Sequence, residues 1–127
     1  MILLIDTSKN SFIKVKLKQG QRSVAEEVVE ANRNQSEKLL DLVSLLLDKQ
    51  DLKLSQIKGI EVVATGDSFT GLRVGVVTGN ALAYSLNIPV SALDSSGNKR
   101  QDLLVSSKNI QLVSPEYSGE PNITKKK

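Results

Sequence analysis

The chain has 127 residues, of which 39% are apolar, and this length suits one domain with a substantial core. It contains no cysteine and no histidine, which excludes disulfides, thiolate chemistry and histidine general bases and disfavours zinc sites. The formal charge is +3, yet residues 125–127 supply three positive charges, so the rest is neutral and is no basic nucleic-acid platform. Neither an apolar span of about 20 residues nor a secretory leader is found, so we expect a cytoplasmic protein.

The first 30 residues predict three β-strands joined by tight turns. Residues 1–6 are almost wholly apolar, as in a strand buried on both faces. Residues 11–18 alternate between apolar side chains and lysines, as in a half-exposed strand. Residues 23–30 form a third, more acidic strand. Short turns between consecutive strands favour an antiparallel meander.

A first helix follows residues 32–36 and is predicted to be about 14 residues long, with Asn34 or Ser36 as N-cap and Glu37 in its first turn. Its apolar side chains spread over roughly 220° of the circumference at about 100° per residue. This arc is wider than a surface helix of a small domain needs. Either a partner protein covers part of the helix or the fold encloses it, and the sequence leaves both open.

The central stretch, residues 57–86, predicts a buried strand, a glycine turn and a helix of small residues. Gly66 and Asp67 form the turn, and the hydroxyls of Ser68 and Thr70 are candidates to cap the helix by accepting from backbone N–H groups. The free N–H groups of such a helix start can hold an anion, although capping alone explains the pattern more simply.

The predicted helix over residues 72–86 carries a glycine-rich stripe on one side. The stripe comprises Gly71, Gly75, Thr78, Gly79 and Leu82. A glycine inside a helix costs roughly 1 kcal/mol relative to alanine, so the close approach of a neighbouring backbone is the natural compensation. The spacing does not say whether this neighbour belongs to the same chain or to a partner.

The remaining elements complete an α/β domain. A short strand over residues 89–93 makes a β-α-β crossover, which adds a parallel pair to the meander. Residues 102–106 and 110–113 are candidate short strands around a turn. We predict one domain over residues 1–113 and an extended or mobile basic tail over residues 114–127.

One stretch resembles the signature of the TsaB (YeaZ) subunits, which serve bacterial threonylcarbamoyladenosine modification of tRNA. It reads SFTGLRVG at residues 68–75, with Ala-Leu-Ala at 81–83 and Ile-Pro at 88–89. ILLIDTS at residues 2–8 is similar to that family's opening strand, and Gln-Ser-Glu at residues 35–37 stands where the family commonly has His-Ser-Glu. The resemblance covers about residues 1–93, and its signature loop comprises Ser68, Phe69, Thr70, Gly71 and Arg73.

Two departures from the family pattern stand out. Thr-Gly-Asp at residues 65–67 replaces the usual Gly-Pro-Gly, and the acid weakens the case for an anion site. Family members usually continue into a second lobe, whereas little of this chain follows Leu93. Those residues resemble the family's closing segment at Pro115, Tyr117 and Pro121. We therefore expect a naturally shortened form that lacks most of the second lobe.

The resemblance implies a single actin-like (ASKHA, ribonuclease H-like) lobe, with a mixed sheet of an antiparallel meander plus parallel strands and two main helices. It implies a non-catalytic scaffold without cofactor or metal, which binds a TsaD-type catalytic subunit through a shared helical bundle, with a TsaE-type ATPase in the same complex. The catalytic relative uses a His-x-x-x-His metal pair, which this chain cannot form. Alone, the chain is a candidate homodimer, and it meets tRNA only indirectly.

The predicted partner contacts lie on the two helices. The first helix has a wider apolar arc than its own core needs and the second has glycines that allow close packing, as a helical docking face requires. They are Leu39, Leu42, Val43 and Leu46 on the first helix and Leu72, Gly75, Val76 and Gly79 on the second. A bulky residue in place of Gly79 is expected to abolish partner binding and to leave the monomer folded.

Two rival functions remain open from the sequence. A sugar-kinase-like phosphotransferase remnant would use Asp6, as a vestigial phosphate site at the end of the first strand, and the 66–71 loop around a nucleotide and Mg²⁺. An aspartate there is more often a turn former. Calorimetry with ATP and Mg²⁺ would separate this rival from the scaffold. A direct RNA binder would use the lysines at residues 125–127, which are more often a solubilising tail.

Overall fold

The predicted meander is present in the computed structural model, which describes residues 1–31 and 34–117. β1 (Ile2–Asp6) pairs antiparallel with β2 (Phe12–Gln19), and β2 pairs antiparallel with β3 (Arg22–Glu30). Ile13, Val15 and Leu17 of β2 are fully buried, whereas its lysines are only partly buried. The alternation therefore predicted the inward side of this strand correctly.

The β-α-β unit is also confirmed. β4 (Gly59–Val63) lies parallel to β1, and β6 (Val90–Leu93) lies parallel to β4, which gives the strand order β3-β2-β1-β4-β6. The crossover helix α2 (Phe69–Leu86) begins one turn earlier than predicted. Ser68 caps it, since its Oγ accepts a hydrogen bond from the Gly71 N–H at 3.2 Å.

Helix α1 (Gln35–Lys49) is partly enclosed and partly exposed. Its N-cap position is Asn34; residues 32 and 33 lie outside the described residues. Most of its leucines are buried, but Leu40 is 55% exposed and Leu45 is 43% exposed. The fold therefore encloses most of the apolar arc and leaves Leu40 and Leu45 uncovered, and a partner that covers them stays a prediction.

Both helices cover the same side of the sheet. Facing them, rows of apolar side chains run across neighbouring strands: Leu17, Leu3, Ile60 and Val90 form one row, and Val15, Ile5, Val62 and Ala92 form the next. The opposite side carries a partly buried ion pair between Lys18 Nζ and Glu61 Oε1 at 2.7 Å. Within the helix layer, exposed residues lie on the outward sides of α1 and α2, away from the sheet.

The segment after β6 folds back onto the helix layer. β7 (Leu104–Ser107) and β8 (Ile110–Val113) form a hairpin, which confirms the predicted short strands. β9 (Glu116–Tyr117) pairs parallel with β5 (Thr65–Gly66), so these two residues of the expected tail form a strand. Residues 118–127, including the lysines at 125–127, lie outside the described residues.

Arg100 ties this segment together. Its guanidinium donates to Asp102 at 2.7 and 2.8 Å and to Glu116 Oε1 at 2.9 Å. The hydrogen bonds from Arg100 lower the pKa of Asp102, and those to Asp102 and Glu116 raise the pKa of Arg100. The start of β9 is thereby held against the loop that precedes β7.

Candidate functional site

The eight residues predicted to contact a partner are buried in the chain's own core. They are Leu39, Leu42, Val43, Leu46, Leu72, Gly75, Val76 and Gly79, and none of the six side chains beyond glycine is more than 6% exposed. The prediction that these residues contact a partner is therefore corrected. On both helices, the side that carries them faces the chain's own sheet. Helical periodicity finds the apolar stripe, but the sheet of the same chain is what that stripe covers.

The glycines of α2 let this helix pack closely against the sheet of the same chain, and no second helix packs on them in the described residues. A Cβ at Gly75 would meet the Thr7 side chain at the end of β1, and a Cβ at Gly79 would meet the Val62 side chain in β4. Thr7 Oγ1 also donates a hydrogen bond to the Gly71 carbonyl at 2.5 Å. A bulky residue at Gly79 would therefore disturb the core itself, contrary to the expectation of an intact monomer.

The outward side of α2 is exposed and nearly uncharged. We call the following residues the outer face of α2: Phe69, Arg73, Val77, Ala81 and Tyr84. Phe69 is 53% exposed, Val77 66% and Tyr84 69%. Arg73 is the single charged residue among the 18 of this helix. A solvent-facing helix side usually carries several charges, so this side has the character of a contact surface.

A groove of about 420 Å³ runs along the outer face of α2 where α1 begins. Its lining combines Ser36 of α1 with Phe69, Thr70, Arg73, Val74, Val77 and Thr78 of α2. The exposed Leu40 follows Ser36 by one helical turn and so extends the apolar surface along α1. Leu45 lies elsewhere, in a small depression that it shares with Val29 of β3.

The signature loop divides into an inward and an outward half. Ser68 caps α2, and Gly71 lies against the Thr7 carbonyl. Phe69, Thr70 and Arg73 are exposed. The Phe69 ring packs edge-on against Tyr117 with the ring centroids 5.4 Å apart, and the Arg73 guanidinium lies 5.4 Å from the Phe69 centroid. Half of the signature therefore positions α2, and the other half forms part of the groove.

The exposed residues Leu40, Val77 and Tyr84 are not among the contact residues predicted from the sequence. The signal that could have found them is the lack of charge at the helix positions opposite the glycine stripe. Over residues 72–86 only Arg73 is charged. Only one side of a helix can face a given sheet, so the opposite side lacks charges although the sheet does not cover it. A search for apolar residues alone selects the buried side first.

Asp6 takes part in a turn at the end of β1. Its Oδ1 accepts hydrogen bonds from the Ser8 N–H at 3.0 Å and from Ser8 Oγ at 2.6 Å. Gly66 approaches the same turn so closely that a Cβ there would lie 2.7 Å from Ser8 Cβ. This geometry is that of an Asx turn, and a phosphate role for Asp6 stays a prediction.

Across 1–31 and 34–117, no three or more His, Cys, Asp or Glu side chains are grouped to hold a metal ion. None of the helices in the described part of the chain combines the length and the apolar character needed to cross a membrane.

Similarity to known proteins agrees with the fold. Residues 26–97 match the family model described as TsaD: tRNA N6-adenosine threonylcarbamoyltransferase. The chain is 35% identical over 94 residues to the tRNA threonylcarbamoyladenosine biosynthesis protein TsaB of Bacillus subtilis, and 28% identical over 89 residues to that of Haemophilus influenzae. The chain belongs to the TsaB (YeaZ) family.

The alignments cover 74% and 70% of this TsaB-family chain, but only 41% and 37% of the two TsaB relatives. The chain thus spans about two fifths of their length. The tRNA N6-adenosine threonylcarbamoyltransferase of Geotalea daltonii is 42% identical over 59 residues, 17% of its length. The transferase and the TsaB family therefore share this part of the fold.

Solved structures confirm the actin-like lobe. YeaZ from Pseudomonas aeruginosa superposes with a TM-score of 0.66 at 29% identity, covering 73% of this TsaB-family chain and 43% of YeaZ. RuvC of T. thermophilus, solved with a Holliday junction substrate, gives a TM-score of 0.50 at 13% identity over 75% of the chain, which shows the fold alone.

Proposed function

We propose that this chain is a non-catalytic scaffold subunit that binds a TsaD-type transferase and keeps it competent to transfer threonylcarbamoyl to adenosine in tRNA. Membership of the TsaB family supports the pathway, because two TsaB relatives are named as tRNA threonylcarbamoyladenosine biosynthesis proteins. The observation that carries the docking role is the outer face of α2, which is exposed and has one charge. A cytoplasmic location, where tRNA is modified, is part of the proposal.

The energetic case depends on large side chains that the chain itself leaves uncovered. Phe69, Val77 and Tyr84 on α2 and Leu40 on α1 each expose more than half of their surface. Burying such a side chain completely contributes about 1.5–3 kcal/mol, and a part of this is still available at each position. A protein that covers the two helices would gain that free energy on binding.

The shape of the surface suits a helical partner. The groove between α1 and α2 can take a ridge of side chains from a third helix, as in ordinary helix packing. The transferase shares part of this fold, so it offers helices of the same kind for a common bundle. In the proposal a TsaE-type ATPase joins the same complex, and tRNA is contacted only indirectly.

Val77→Asp tests this proposal. Val77 is 66% exposed in the centre of the outer face of α2, so a carboxylate there spares the core but meets the partner's apolar surface. We expect the affinity for the host's TsaD-type transferase to fall by about 30-fold or more, as for a central interface residue worth at least about 2 kcal/mol. Isothermal titration calorimetry with the two purified proteins measures the loss.

Val105→Asp is the matched control. Val105 lies in β7 of the hairpin, is 51% exposed, and belongs neither to the groove nor to the outer face of α2. It receives the same chemical change in a comparable environment, so its variant should bind like the wild type. Full-strength binding by the Val77→Asp variant, with circular dichroism showing that both variants are folded, would contradict the proposed docking role.

A further inference from the structure

Arg73 is the single charged residue among those that line the groove beside α1. It lies on the outer face of α2, one turn from Phe69 and one turn from Val77, and all three line the groove beside α1. The other groove residues are apolar or carry hydroxyl or aromatic groups. A protein that covers this groove must therefore cover the guanidinium as well.

Within residues 1–31 and 34–117, Arg73 forms no ion pair with a carboxylate. Its contact of note is with the face of Phe69, at 5.4 Å from the ring centroid. Stacking on an aromatic ring fixes the plane of the guanidinium and leaves its N–H donors free to bond outward. The side chain is thus oriented before a partner arrives.

We infer that Arg73 receives a carboxylate of the transferase, presented by an otherwise apolar helix that lies in the groove; this inference rests on the proposed function. Covering an unpaired guanidinium with apolar atoms would oppose binding, because a charge that loses water needs a partner. A carboxylate matches the planar fork of arginine with two parallel hydrogen bonds, which add geometric specificity. Arg73 thereby selects among helical partners of similar shape.

The experiment measures the affinity of the purified transferase for Arg73→Lys, Arg73→Gln and Arg73→Glu by titration calorimetry. We expect Arg73→Lys to bind most tightly of the three, Arg73→Gln to lose about 10- to 100-fold, and Arg73→Glu to lose more, as for one member of a desolvated ion pair. Arg22→Glu, which makes the same charge change at the exposed start of β3, is the control and should bind like the wild type.

A charge-reversal scan of the transferase completes the test. Each Asp and Glu on its helices that match α1 and α2 is changed to Arg, and one such variant should restore binding to Arg73→Glu. Restoration identifies the carboxylate directly. Equal losses for Lys, Gln and Glu at this position, or no rescue by any reversal, would overturn the inference.

Failure of this inference differs from failure of the proposed function. If Val77→Asp weakens binding and all three Arg73 variants bind like the wild type, the chain docks through α2 without a carboxylate at Arg73. If Val77→Asp and the Arg73 variants all bind like the wild type, the docking surface itself is wrong, and the inference falls with it.

Discussion

At the scale of single residues, the glycines of α2 are explained by what lies beneath them. A Cβ at Gly75 would meet the side chain of Thr7, directly after β1, and a Cβ at Gly79 would meet the side chain of Val62 in β4. Val62, which faces Gly79, is fully buried and β-branched, so it has few alternative rotamers. These glycines therefore let a helix approach its own sheet.

Gly79→Ala should destabilise the protein, although alanine is the better helix former. Overpacking a core costs about 1–3 kcal/mol, and the severe overlap of a Cβ at Gly79 with Val62 places this change in the upper part of that range, at about 2–3 kcal/mol. The gain in helix propensity returns about 1 kcal/mol, so a net loss of about 1–2 kcal/mol in the free energy of unfolding is expected. Urea denaturation measures it. Ala81→Gly, at an exposed position of the same helix, calibrates propensity alone at about 1 kcal/mol. A Gly79→Ala variant more stable than the wild type would contradict this packing.

At the scale of elements, Asn80 joins α2 to the hairpin. Its Nδ2 donates to the Val113 carbonyl at 3.1 Å, and its Oδ1 accepts from the Val113 N–H at 2.8 Å. The side-chain amide thus satisfies the end of β8 as a neighbouring strand would. Further along the chain, the Glu116 N–H donates to the Ala64 carbonyl at 2.8 Å, which brings Tyr117 to Phe69.

Asn80→Ala should destabilise the end of β8 more than the rest of the fold. It leaves both backbone groups of Val113 without their partner, at a cost of about 1–3 kcal/mol. Asn80→Asp keeps an acceptor for the N–H but sets a carboxylate against the carbonyl, so it should not restore stability. Hydrogen exchange at Val113 is expected to accelerate by about tenfold or more. Ser85→Ala, on the exposed side of α2, is the control. Unchanged protection of the Val113 amide from hydrogen exchange in Asn80→Ala would contradict the stabilising role of the Asn80 hydrogen bonds.

At the scale of the whole molecule, one layer of helices covers one side of the sheet, and its outward side is left to other molecules. A second copy of the chain can cover the outer face of α2 in the absence of the transferase. Such a dimer would be isologous, with the same residues on both copies. It would bring two Arg73 guanidiniums into one interface, where like charges repel.

The isolated chain is therefore expected to form a weak homodimer whose strength depends on Arg73. Arg73→Gln should strengthen self-association, because it removes the repulsion, while the same change weakens transferase binding. Val77→Asp should leave a monomer. Sedimentation velocity over a range of concentrations distinguishes these outcomes, and Arg22→Glu again serves as the control. Identical sedimentation of the wild type and of both helix variants would exclude a homodimer through α2.

Local patterns determined most of the fold. The two-residue alternation in β2, the turns of the meander and the strand-helix-strand order around residues 57–93 each depend on neighbours in sequence, so the sequence predicted them. The SFTGLR signature identified the family for the same reason, because it is one continuous stretch. Two short strands around a turn were also predicted near residues 102–113, and they are β7 and β8, with β7 shifted to Leu104–Ser107.

Only the tertiary structure decided which side of each helix is free. Leu39 and Leu40 are adjacent in sequence, yet one is fully buried and the other is 55% exposed, because the sheet lies on one side of α1. The partners of Gly79 and Asn80 are Val62 and Val113, far along the chain in either direction. Periodicity records how apolar residues are spaced around a helix, but what covers them depends on contacts between distant segments, and these form only when the sheet is assembled.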